Sequence, residues 1–304
     1  MTTATMGRTE LPFAPAPLSP VLGAEVVDFD IRTLDPQAAP ALKDCLRDHQ
    51  VLVFRDQDLT PADMVAFINK MGEPQYHVLD RFLMEEAPEI YVISNMKDDK
   101  GEPIGNSYEG LSWHTDLQGQ EKVTAYTVLY GVEVPEEGGK TRFASMYKAF
   151  EALPDERKRA LEPMKFIYSY ETQYNVRLKY LAEKGITDHQ YDRPMTPEQL
   201  EYARKRHPLP IVDVNPHNGR KWIHVATMGC AGVEGMSDED GIALVNELTD
   251  YATSGPFRYD HQWRKRDLLL WDNRGLFHAA GEYDRASQKR LIWRGSIAED
   301  APAA

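Results

Sequence analysis

The sequence predicts a mostly β protein in which an antiparallel double sheet is flanked by helices. Strand-length runs rich in Val, Ile, Tyr, Thr and Trp occur from the first third of the chain to the last. These runs do not alternate regularly with helical segments, as they would around a parallel sheet. No glycine-rich phosphate-binding turn follows any of them, so a doubly wound nucleotide-binding fold is not expected.

The first third of the chain predicts mixed α and β structure. Residues 1–18 are rich in Pro, Ala and Thr and predict a flexible arm. Thr60 and Pro61 predict the N-cap and the first position of a helix. That helix is expected to end at Met71, before Gly72. The other elements predicted here are a β-prone run at 20–30, a helix at 36–49 and a strand at 51–54.

The remainder of the chain is richer in strands. A charged, Tyr-rich segment at 160–205 is long for a connection, which predicts a helical insertion or a lid. Pro154 is expected to interrupt the helical pattern of 145–162. Thr196 and Ser237 are predicted N-caps of two further helices. The predicted strands lie at 89–94, 122–134, 211–214, 222–225, 268–271 and 290–297.

The composition is typical of a globular protein. The 304 residues are 42% hydrophobic and 27% charged, and 35 Lys+Arg against 48 Asp+Glu give a net charge of −13. This acidic balance argues against a nucleic-acid partner, which needs a basic surface. It is compatible with a local basic pocket for a small anion.

Cysteine usage and apolar runs indicate the cellular compartment. Cys45 and Cys230 are predicted to be small buried hydrophobic residues rather than a disulfide or part of a Cys-rich zinc site. No apolar run approaches the ~20 residues of a membrane span, and residues 1–10 lack the pattern of a secretory signal. We therefore expect no membrane partner and a cytoplasmic location.

The segment Trp113-His114-Thr115-Asp116 predicts part of a metal site. On an extended strand, side chains two positions apart point the same way, so one imidazole and one carboxylate can reach the same ion. His278 is the candidate third ligand, because it follows an apolar strand and a turn that antiparallel pairing can bring to His114. Two histidines and a carboxylate form the face used by non-haem Fe(II) oxygenases. Each residue taken alone is also compatible with a structural role.

Two arginines near the C-terminus predict an anion site. Arg290 and Arg294 lie an even number of residues apart and therefore share one face of a predicted strand. Guanidiniums among Leu, Ile and Trp indicate capture of a carboxylate in a partly dry site, whereas ion pairing within an acidic protein is the alternative. The Gly-Gly turn at 138–139 could bring the hydroxyl of Thr141 beside a ligand carboxylate.

Taken in order, these segments resemble the TauD/TfdA (taurine dioxygenase) family of Fe(II)/2-oxoglutarate-dependent dioxygenases over nearly the whole chain. The ordered set is specific, although each segment alone is not. The matching segments are Leu22-Gly23-Ala24-Glu25-Val26, Val51-Leu52-Val53-Phe54-Arg55, Gly72-Glu73 with His77, Trp113-His114-Thr115-Asp116, Gly138-Gly139-Lys140-Thr141, His207-Pro208, Trp271-Asp272-Asn273-Arg274 with His278, and Arg290 with Arg294. The resemblance implies a double-stranded β-helix, a jelly-roll or cupin-like core, in a single catalytic domain over 1–304.

The resemblance also implies an oxidoreductase that uses Fe(II), 2-oxoglutarate as cosubstrate, and O2. The implied iron ligands are His114, Asp116 and His278. Thr141 and Arg290 would bind the distal carboxylate of 2-oxoglutarate. Arg294 would face the substrate anion or share the cosubstrate carboxylate.

Substrate contacts are less determined by the resemblance. His77 matches a histidine that contacts substrate in some members. His224 stands where taurine-type members have an Asn-containing strand, and His224 is therefore predicted to face the pocket. Lys140 replaces an Asp that the family usually has after the Gly-Gly turn. With Tyr108 and Arg294, the two histidines are the candidate contacts to a small polar anion.

The implied reaction is oxidation of such an anion with release of succinate and CO2. Its outcome could be hydroxylation, hydroxylation-triggered cleavage, desaturation or cyclisation. Two alternatives stay open from the sequence: a jelly-roll enzyme that uses another metal as an isomerase or hydrolase, and a non-catalytic binding protein with a degenerate site. A homo-oligomer, either a dimer or a tetramer, is expected.

Overall fold

A computed structural model of the chain describes residues 13–77, 79–116, 124–183, 185–186 and 194–299. Its strands are β1 (Pro15–Pro17), β2 (Ala24–Val26), β3 (Val51–Phe54), β4 (Glu73–Gln75), β5 (Leu83–Met84), β6 (Ala87–Ser94), β7 (Thr124–Glu133), β8 (Thr141–Ser145), β9 (Lys165–Ser169), β10 (Arg206–Pro210), β11 (Val212–Val214), β12 (Lys221–Ile223), β13 (Cys230–Val233), β14 (Arg258–His261), β15 (Leu268–Asp272), β16 (Leu276–Ala280) and β17 (Leu291–Ala298). Its α-helices are α1 (Ala39–His49), α2 (Pro61–Met71), α3 (Met146–Ala152), α4 (Asp155–Leu161), α5 (Tyr170–Glu183), α6 (Pro197–Ala203) and α7 (Asp238–Ser254).

The larger sheet combines strands from both ends of the chain. Its order is β1-β2-β3-β15-β7-β17-β6-β5, and β4 also pairs with β17. The smaller sheet has the order β14-β8-β16. The central pairs β15–β7, β17–β7 and β16–β8 are antiparallel, whereas β2 and β3 run parallel. These two sheets, antiparallel apart from the β2–β3 pair, and their flanking helices confirm the predicted class.

The alternation of side chains along β3 shows why both faces of the larger sheet are covered. Val51 and Val53 belong to the core between the sheets, whereas Leu52 and Phe54 point to the other face, toward the helices α1 and α2. All four residues are fully buried, which is why the run reads as continuously apolar rather than alternating. Other residues of the inner core are Leu129, Phe143, Leu269, Trp271, Leu276 and Ile292.

A further layer covers the outer face of the smaller sheet. Ala144 of β8 and Phe277 of β16 pack there against residues of α3, α7, β9, β12 and β13. The predicted interruption at Pro154 is confirmed, because α3 ends at Ala152 and α4 begins at Asp155. Side chains in this layer lie behind the smaller sheet and are therefore separated from the core between the two sheets.

Local capping signals agree with the structure. Thr60 Oγ1 accepts a hydrogen bond from Asp63 N at 3.2 Å, and Asp63 Oδ2 accepts one from Thr60 N at 2.9 Å, so α2 begins with a reciprocal capping box. Thr196 caps α6 and Ser237 caps α7, as predicted. Cys45 and Cys230 are both buried, and neither belongs to a disulfide, which confirms their predicted character.

The two predicted peripheral segments lie partly outside the described residues. Residues 1–12 of the predicted arm lie outside the described residues, whereas Pro15–Pro17, within its predicted bounds, pairs with Ala24–Val26 as a strand. Segment 160–205 contains α5 and α6, while residues 184 and 187–193 lie outside the described part. Among the helices described, none has the length and apolar character needed to cross a membrane.

Loss of the α2 capping box should destabilise the fold measurably. We expect Thr60→Ala to lower the free energy of unfolding by about 1 kcal/mol, because the N–H of Asp63 loses its acceptor. Thr60→Ser keeps the hydroxyl and should remain close to the parent protein. Urea denaturation followed by circular dichroism measures both, and equal stabilities of the two variants would contradict the capping role.

Candidate metal centre

A backbone bridge brings two histidines from distant parts of the chain together. His114 N donates to His278 O at 3.0 Å, and His278 N donates to His114 O at 2.8 Å. His278 lies on β16, and the ring centroids of the two imidazoles are 4.2 Å apart. Antiparallel pairing therefore sets these side chains next to each other, as the sequence predicted.

Asp116 completes a compact cluster with the two histidines. Its Oδ1 lies 3.6 Å from His114 Nε2 and 3.7 Å from His278 Nε2. One donor atom from each residue falls within 4.8 Å of the others, which is the size of a site for a single ion. Asp116 lies in a turn just after the bridge rather than on a continuous strand, but the predicted convergence is the same.

Hydrogen bonds orient two of the three donor groups. His114 Nδ1 lies 2.7 Å from the carbonyl oxygen of Ser112, so a proton on Nδ1 would be donated there and leave the Nε2 lone pair for a metal. Thr127 donates its hydroxyl to Asp116 Oδ2 at 2.6 Å, which leaves Oδ1 facing the histidines. This arrangement of imidazole, carboxylate and supporting partners fits a divalent cation.

The support for Asp116 extends through a buried polar chain. Asn273 Nδ2 donates to Thr127 Oγ1 at 2.9 Å, and Trp271 Nε1 donates to Asn273 Oδ1 at 2.9 Å. Thr115 Oγ1 in turn donates to the Asn273 carbonyl at 2.9 Å. Trp271 at the end of β15 and Asn273 just after it thus help to position the carboxylate of Asp116. The sequence did not predict this role.

Burial and neighbouring charges set the ionisation of the cluster. Burial raises the pKa of Asp116, but the nearby Arg294 and the two histidines outweigh it, so the pKa lies well below the usual range. Burial, with His114 as a further cause, lowers the pKa of His278 to about 3. An ionised carboxylate and a neutral imidazole are the forms that bind a metal.

One cavity beside the cluster, here called the metal cavity, contains the predicted cosubstrate residues. Its lining includes His114, Asp116, His278, Glu109, Thr141, Arg290 and Arg294. Arg290 Nε is buried and makes no hydrogen bond to any described residue. Burial lowers the pKa of Arg290 to about 10, which still leaves the guanidinium charged at neutral pH. A buried cation with an unused donor fits an anionic ligand such as a carboxylate.

Thr141 is held ready to donate to such a ligand. It begins β8, where it pairs with Ala280 two positions after His278. Trp263 Nε1 donates to Thr141 Oγ1 at 3.0 Å, so the hydroxyl oxygen is already used as an acceptor. Its own proton is thereby directed to another acceptor. Trp263 was not identified from the sequence.

Arg294 forms a direct ion pair with the carboxylate of Asp116. Its Nη2 is 2.9 Å from Asp116 Oδ1, and its Nη1 is 3.9 Å from Glu109 Oε1. Arg294 follows Arg290 by four positions, and both side chains line the metal cavity. The prediction that the two arginines share one face of the strand is therefore correct.

A second cavity, here called the tyrosine cavity, adjoins the first. It is lined by His77, Glu109, His114, Thr115, Asp116, Tyr168, Tyr170, Gln173, Tyr202 and Arg294. His77 stacks on Tyr91 with ring centroids 4.5 Å apart. The cavities share Glu109, His114, Asp116 and Arg294. The predicted substrate contact His77 therefore lies beside the cluster.

Two predicted substrate contacts lie elsewhere. His224 follows β12, packs against Trp222 and Phe166 at centroid distances of 4.5 and 5.5 Å, and lies in the layer outside the smaller sheet. The ring of Tyr108 lies against the guanidinium of Arg285 at 5.0 Å. Neither residue lines the metal cavity or the tyrosine cavity. Sequence position alone could not distinguish the inner core from this outer layer.

The sequence also missed residues that the fold brings to the cluster. Glu109 precedes His114 by only five positions, and its charge in an otherwise uncharged stretch was the available signal. The tyrosines come from β9, α5 and α6, whose packing above the site has no local sequence signature. The missed tyrosine-cavity residues are Tyr168, Tyr170 and Tyr202.

A jelly-roll core that carries a two-His-one-carboxylate cluster beside buried arginines defines a non-haem Fe(II)/2-oxoglutarate-dependent dioxygenase. The family described as "Taurine catabolism dioxygenase TauD, TfdA family" matches residues 14–296, and the chain belongs to this family. It uses Fe(II), 2-oxoglutarate and O2. An isomerase, a hydrolase and a non-catalytic binding protein are accordingly not supported.

Individual relatives span nearly the full chain. The sequence is 30% identical over 296 residues to the alpha-ketoglutarate-dependent 2,4-dichlorophenoxyacetate dioxygenase of Cupriavidus pinatubonensis, covering 94% of this chain and 97% of that protein. It is 28% identical over 296 residues to the (S)-phenoxypropionate/alpha-ketoglutarate-dioxygenase of Sphingobium herbicidovorans, covering 94% of each. The crystal structure of AAD-2 in complex with Mn(II) and N-oxalylglycine is similar with a TM-score of 0.75 and 25% identity, covering 97% and 100% of the two chains.

The hydroxyl of Thr127 should contribute to metal affinity although it lies outside the cluster. We expect Thr127→Val to weaken Fe(II) binding by roughly 10- to 100-fold, because Asp116 loses the hydrogen bond that orients it. Anaerobic metal titration measures the affinity.

Thr124→Val is the matched control for this change. Thr124 lies on the same strand, is buried, and donates its hydroxyl to Gln75 Oε1 at 2.6 Å, away from the cluster. It should leave the metal affinity unchanged. Equal affinities in the parent protein and both variants would contradict the supporting role of Thr127.

Proposed function

We propose that this dioxygenase oxidises a small polar anionic substrate and that His114, Asp116 and His278 hold its iron. The observation that carries the proposal is the convergence of three donor atoms within 4.8 Å of one another on a cavity that also exposes Arg290 and Arg294. When bound, Fe(II) and 2-oxoglutarate supply the oxidising chemistry, and succinate and CO2 leave as products.

In this proposal the residues of the chain bind the ligands, orient them, and exclude water from the site. Arg290 and Thr141 receive the distal carboxylate of 2-oxoglutarate, because the unused Nε of Arg290 and the hydroxyl proton of Thr141 are donors on the same cavity wall. The contact of Nδ1 with the Ser112 carbonyl orients the His114 ring so that Nε2 faces the cluster. Apolar and aromatic walls, among them Leu129 and Trp271, lower the local dielectric constant around these contacts.

Arg294 is proposed as the receptor of the substrate anion rather than a second clamp on 2-oxoglutarate. It lines both cavities, whereas Arg290 lines the metal cavity and not the tyrosine cavity. Relatives are named for 2,4-dichlorophenoxyacetate and (S)-phenoxypropionate, which carry a carboxylate as their anion. The chemical outcome on the substrate is hydroxylation, desaturation, cyclisation or hydroxylation-triggered cleavage.

A screen of small anions tests the proposed reaction. Carboxylates, sulfonates and sulfates are incubated with Fe(II), 2-oxoglutarate and O2, and succinate release is measured above the substrate-free rate. At least one anion should stimulate succinate release, and His114→Ala and Asp116→Ala should abolish it. Undiminished stimulated turnover in either variant would contradict the assigned ligands.

Removal of Arg290 should affect the cosubstrate selectively. Arg290→Ala is expected to weaken 2-oxoglutarate binding by about 2–4 kcal/mol, because a buried charge-assisted contact is lost. The exposed neighbour Lys289 provides the control variant Lys289→Ala, which should retain the parent affinity. Initial rates over a range of 2-oxoglutarate concentrations measure the effect. A change confined to the affinity for the prime substrate would reverse the roles given to Arg290 and Arg294.

The organisation of the whole protein is also part of the proposal. The chain is proposed to be a single catalytic domain in which α5 and α6, from the segment 160–205, act as a lid on the tyrosine cavity, because both helices supply part of its lining. Hydrogen exchange of this segment should slow when metal and 2-oxoglutarate bind, and equal exchange rates would contradict a lid.

A cytoplasmic homo-oligomer, either a dimer or a tetramer, is proposed as well. Light scattering tests the oligomeric state, and cell fractionation tests the location.

A further inference from the structure

We infer that Trp263 is a positioning residue for the cosubstrate, because it fixes the Thr141 hydroxyl as a donor to the distal carboxylate of 2-oxoglutarate. The inference rests on the proposed function, in which Thr141 and Arg290 receive that carboxylate. It follows from the hydrogen bond between the two side chains, from the burial of Trp263, and from the anchoring of the connection that carries this residue.

The hydrogen bond from Trp263 determines how Thr141 can act. Trp263 Nε1 lies 3.0 Å from Thr141 Oγ1, and an indole N–H can only donate. The hydroxyl oxygen is therefore the acceptor in this pair, and among the described residues none accepts the hydroxyl proton. Without the indole, the hydroxyl could turn either a lone pair or its proton toward the metal cavity. With the indole in place the proton is favoured there, where a carboxylate oxygen can accept it.

Trp263 acts on the metal cavity through Thr141 rather than by direct contact. Thr141 and Arg290 line this cavity, whereas Trp263 is not among the described residues of its lining. Thr141 is paired with His261 in the β14–β8 ladder, and Trp263 follows His261 by two positions. The register of the smaller sheet thus brings the indole within reach of the Thr141 hydroxyl. A residue in this position can change cosubstrate binding without touching the cosubstrate.

Trp263 points inward from an otherwise exposed connection between β14 and β15. Gln262 before it and residues 264–266 after it are exposed, whereas Trp263 is only 4% exposed. Its ring packs in the core between the sheets. A buried indole usually needs a partner for its N–H, and here that partner is Thr141.

Strand β7 accommodates this ring at Gly131. A Cβ atom at Gly131 would lie 3.1 Å from Trp263 Cε3, so the absence of a side chain allows the ring to approach the strand closely. Gly131 also anchors the connection, because its N–H donates to Asp267 O at 2.9 Å and its carbonyl accepts from Arg266 N at 2.8 Å. The indole is therefore held against the larger sheet, as expected of a group that orients another.

A buried carboxylate holds the connection on both sides of Trp263. Asp267 Oδ2 accepts a hydrogen bond from Arg264 N at 2.7 Å and pairs with Arg55 Nη1 at 2.5 Å. His261 Nε2 lies 3.2 Å from the same oxygen, and both His261 and Asp267 are fully buried. Contacts that converge on one buried oxygen restrict the movement of the indole between them.

A purely structural role for Trp263 makes a different prediction. If the ring only filled space in the core, its replacement would affect cosubstrate binding to the same extent with and without the Thr141 hydroxyl. If the indole N–H orients that hydroxyl, the effect should disappear once the hydroxyl is removed. A double-mutant cycle separates these two roles.

The test measures the Kd of 2-oxoglutarate in the Fe(II)-loaded protein by anaerobic titration of the absorption band. Trp263→Phe should raise this Kd about five- to tenfold. Thr141→Val should itself weaken binding, and in that background Trp263→Phe should have less than about a twofold effect. Trp222→Phe is the matched control, because Trp222 is also 4% exposed but lies in the layer outside the smaller sheet. It should keep the parent Kd.

A second variant removes the N–H alone. Replacement of the Trp263 indole by benzothiophene keeps the shape of the ring and should raise the Kd as Trp263→Phe does, which preserves the test if the phenylalanine variant does not fold. An unchanged Kd, or an equal change with and without the Thr141 hydroxyl, would overturn the inference. Failure of the proposed function would look different, since the parent protein would then show no band or Thr141→Val would bind 2-oxoglutarate like the parent.

Discussion

The reciprocal backbone hydrogen bonds between His114 and His278 are the interaction on which the site depends. They join a loop that precedes β7 to the strand β16 of the smaller sheet. Because β16 also pairs with β8, the same register brings Thr141 to the metal cavity. A shift by one residue would turn the imidazole of His278 away from the cavity and out of the cluster. Sheet register and the geometry of the cluster are thus one constraint.

Burying this many charges requires that each be compensated. The Asp116 carboxylate faces Arg294 and receives the Thr127 hydroxyl, so it can remain ionised. The turn between β15 and β16, which supplies Asn273, is itself anchored by a buried ion pair between Arg274 Nε and Asp272 Oδ1 at 2.9 Å. Stability and the proposed chemistry share these contacts, because the groups that make the turn rigid also orient the carboxylate of Asp116.

The sequence predicted the structural features that depend on local patterns of residues. The capping of α2 by Thr60, the buried strand at 51–54 and the triad follow from spacing, apolar character and the ordered resemblance. It could not predict which layer a distant segment would join, so His224 was expected in the pocket but lies outside the smaller sheet. The position of Glu109 beside the cluster was equally hidden, since it arises only where β6, β17 and the helices α5 and α6 meet.

Anaerobic titration of the protein with Fe(II) and 2-oxoglutarate tests the proposed centre most directly. The parent protein should develop the weak visible charge-transfer band of a chelated keto acid at about one equivalent of each ligand. Asp116→Ala should show no band, whereas Thr127→Val should show it only at higher Fe(II) concentration. A band of equal strength in Asp116→Ala, or its absence from the correctly folded parent protein, would contradict the metal centre described above.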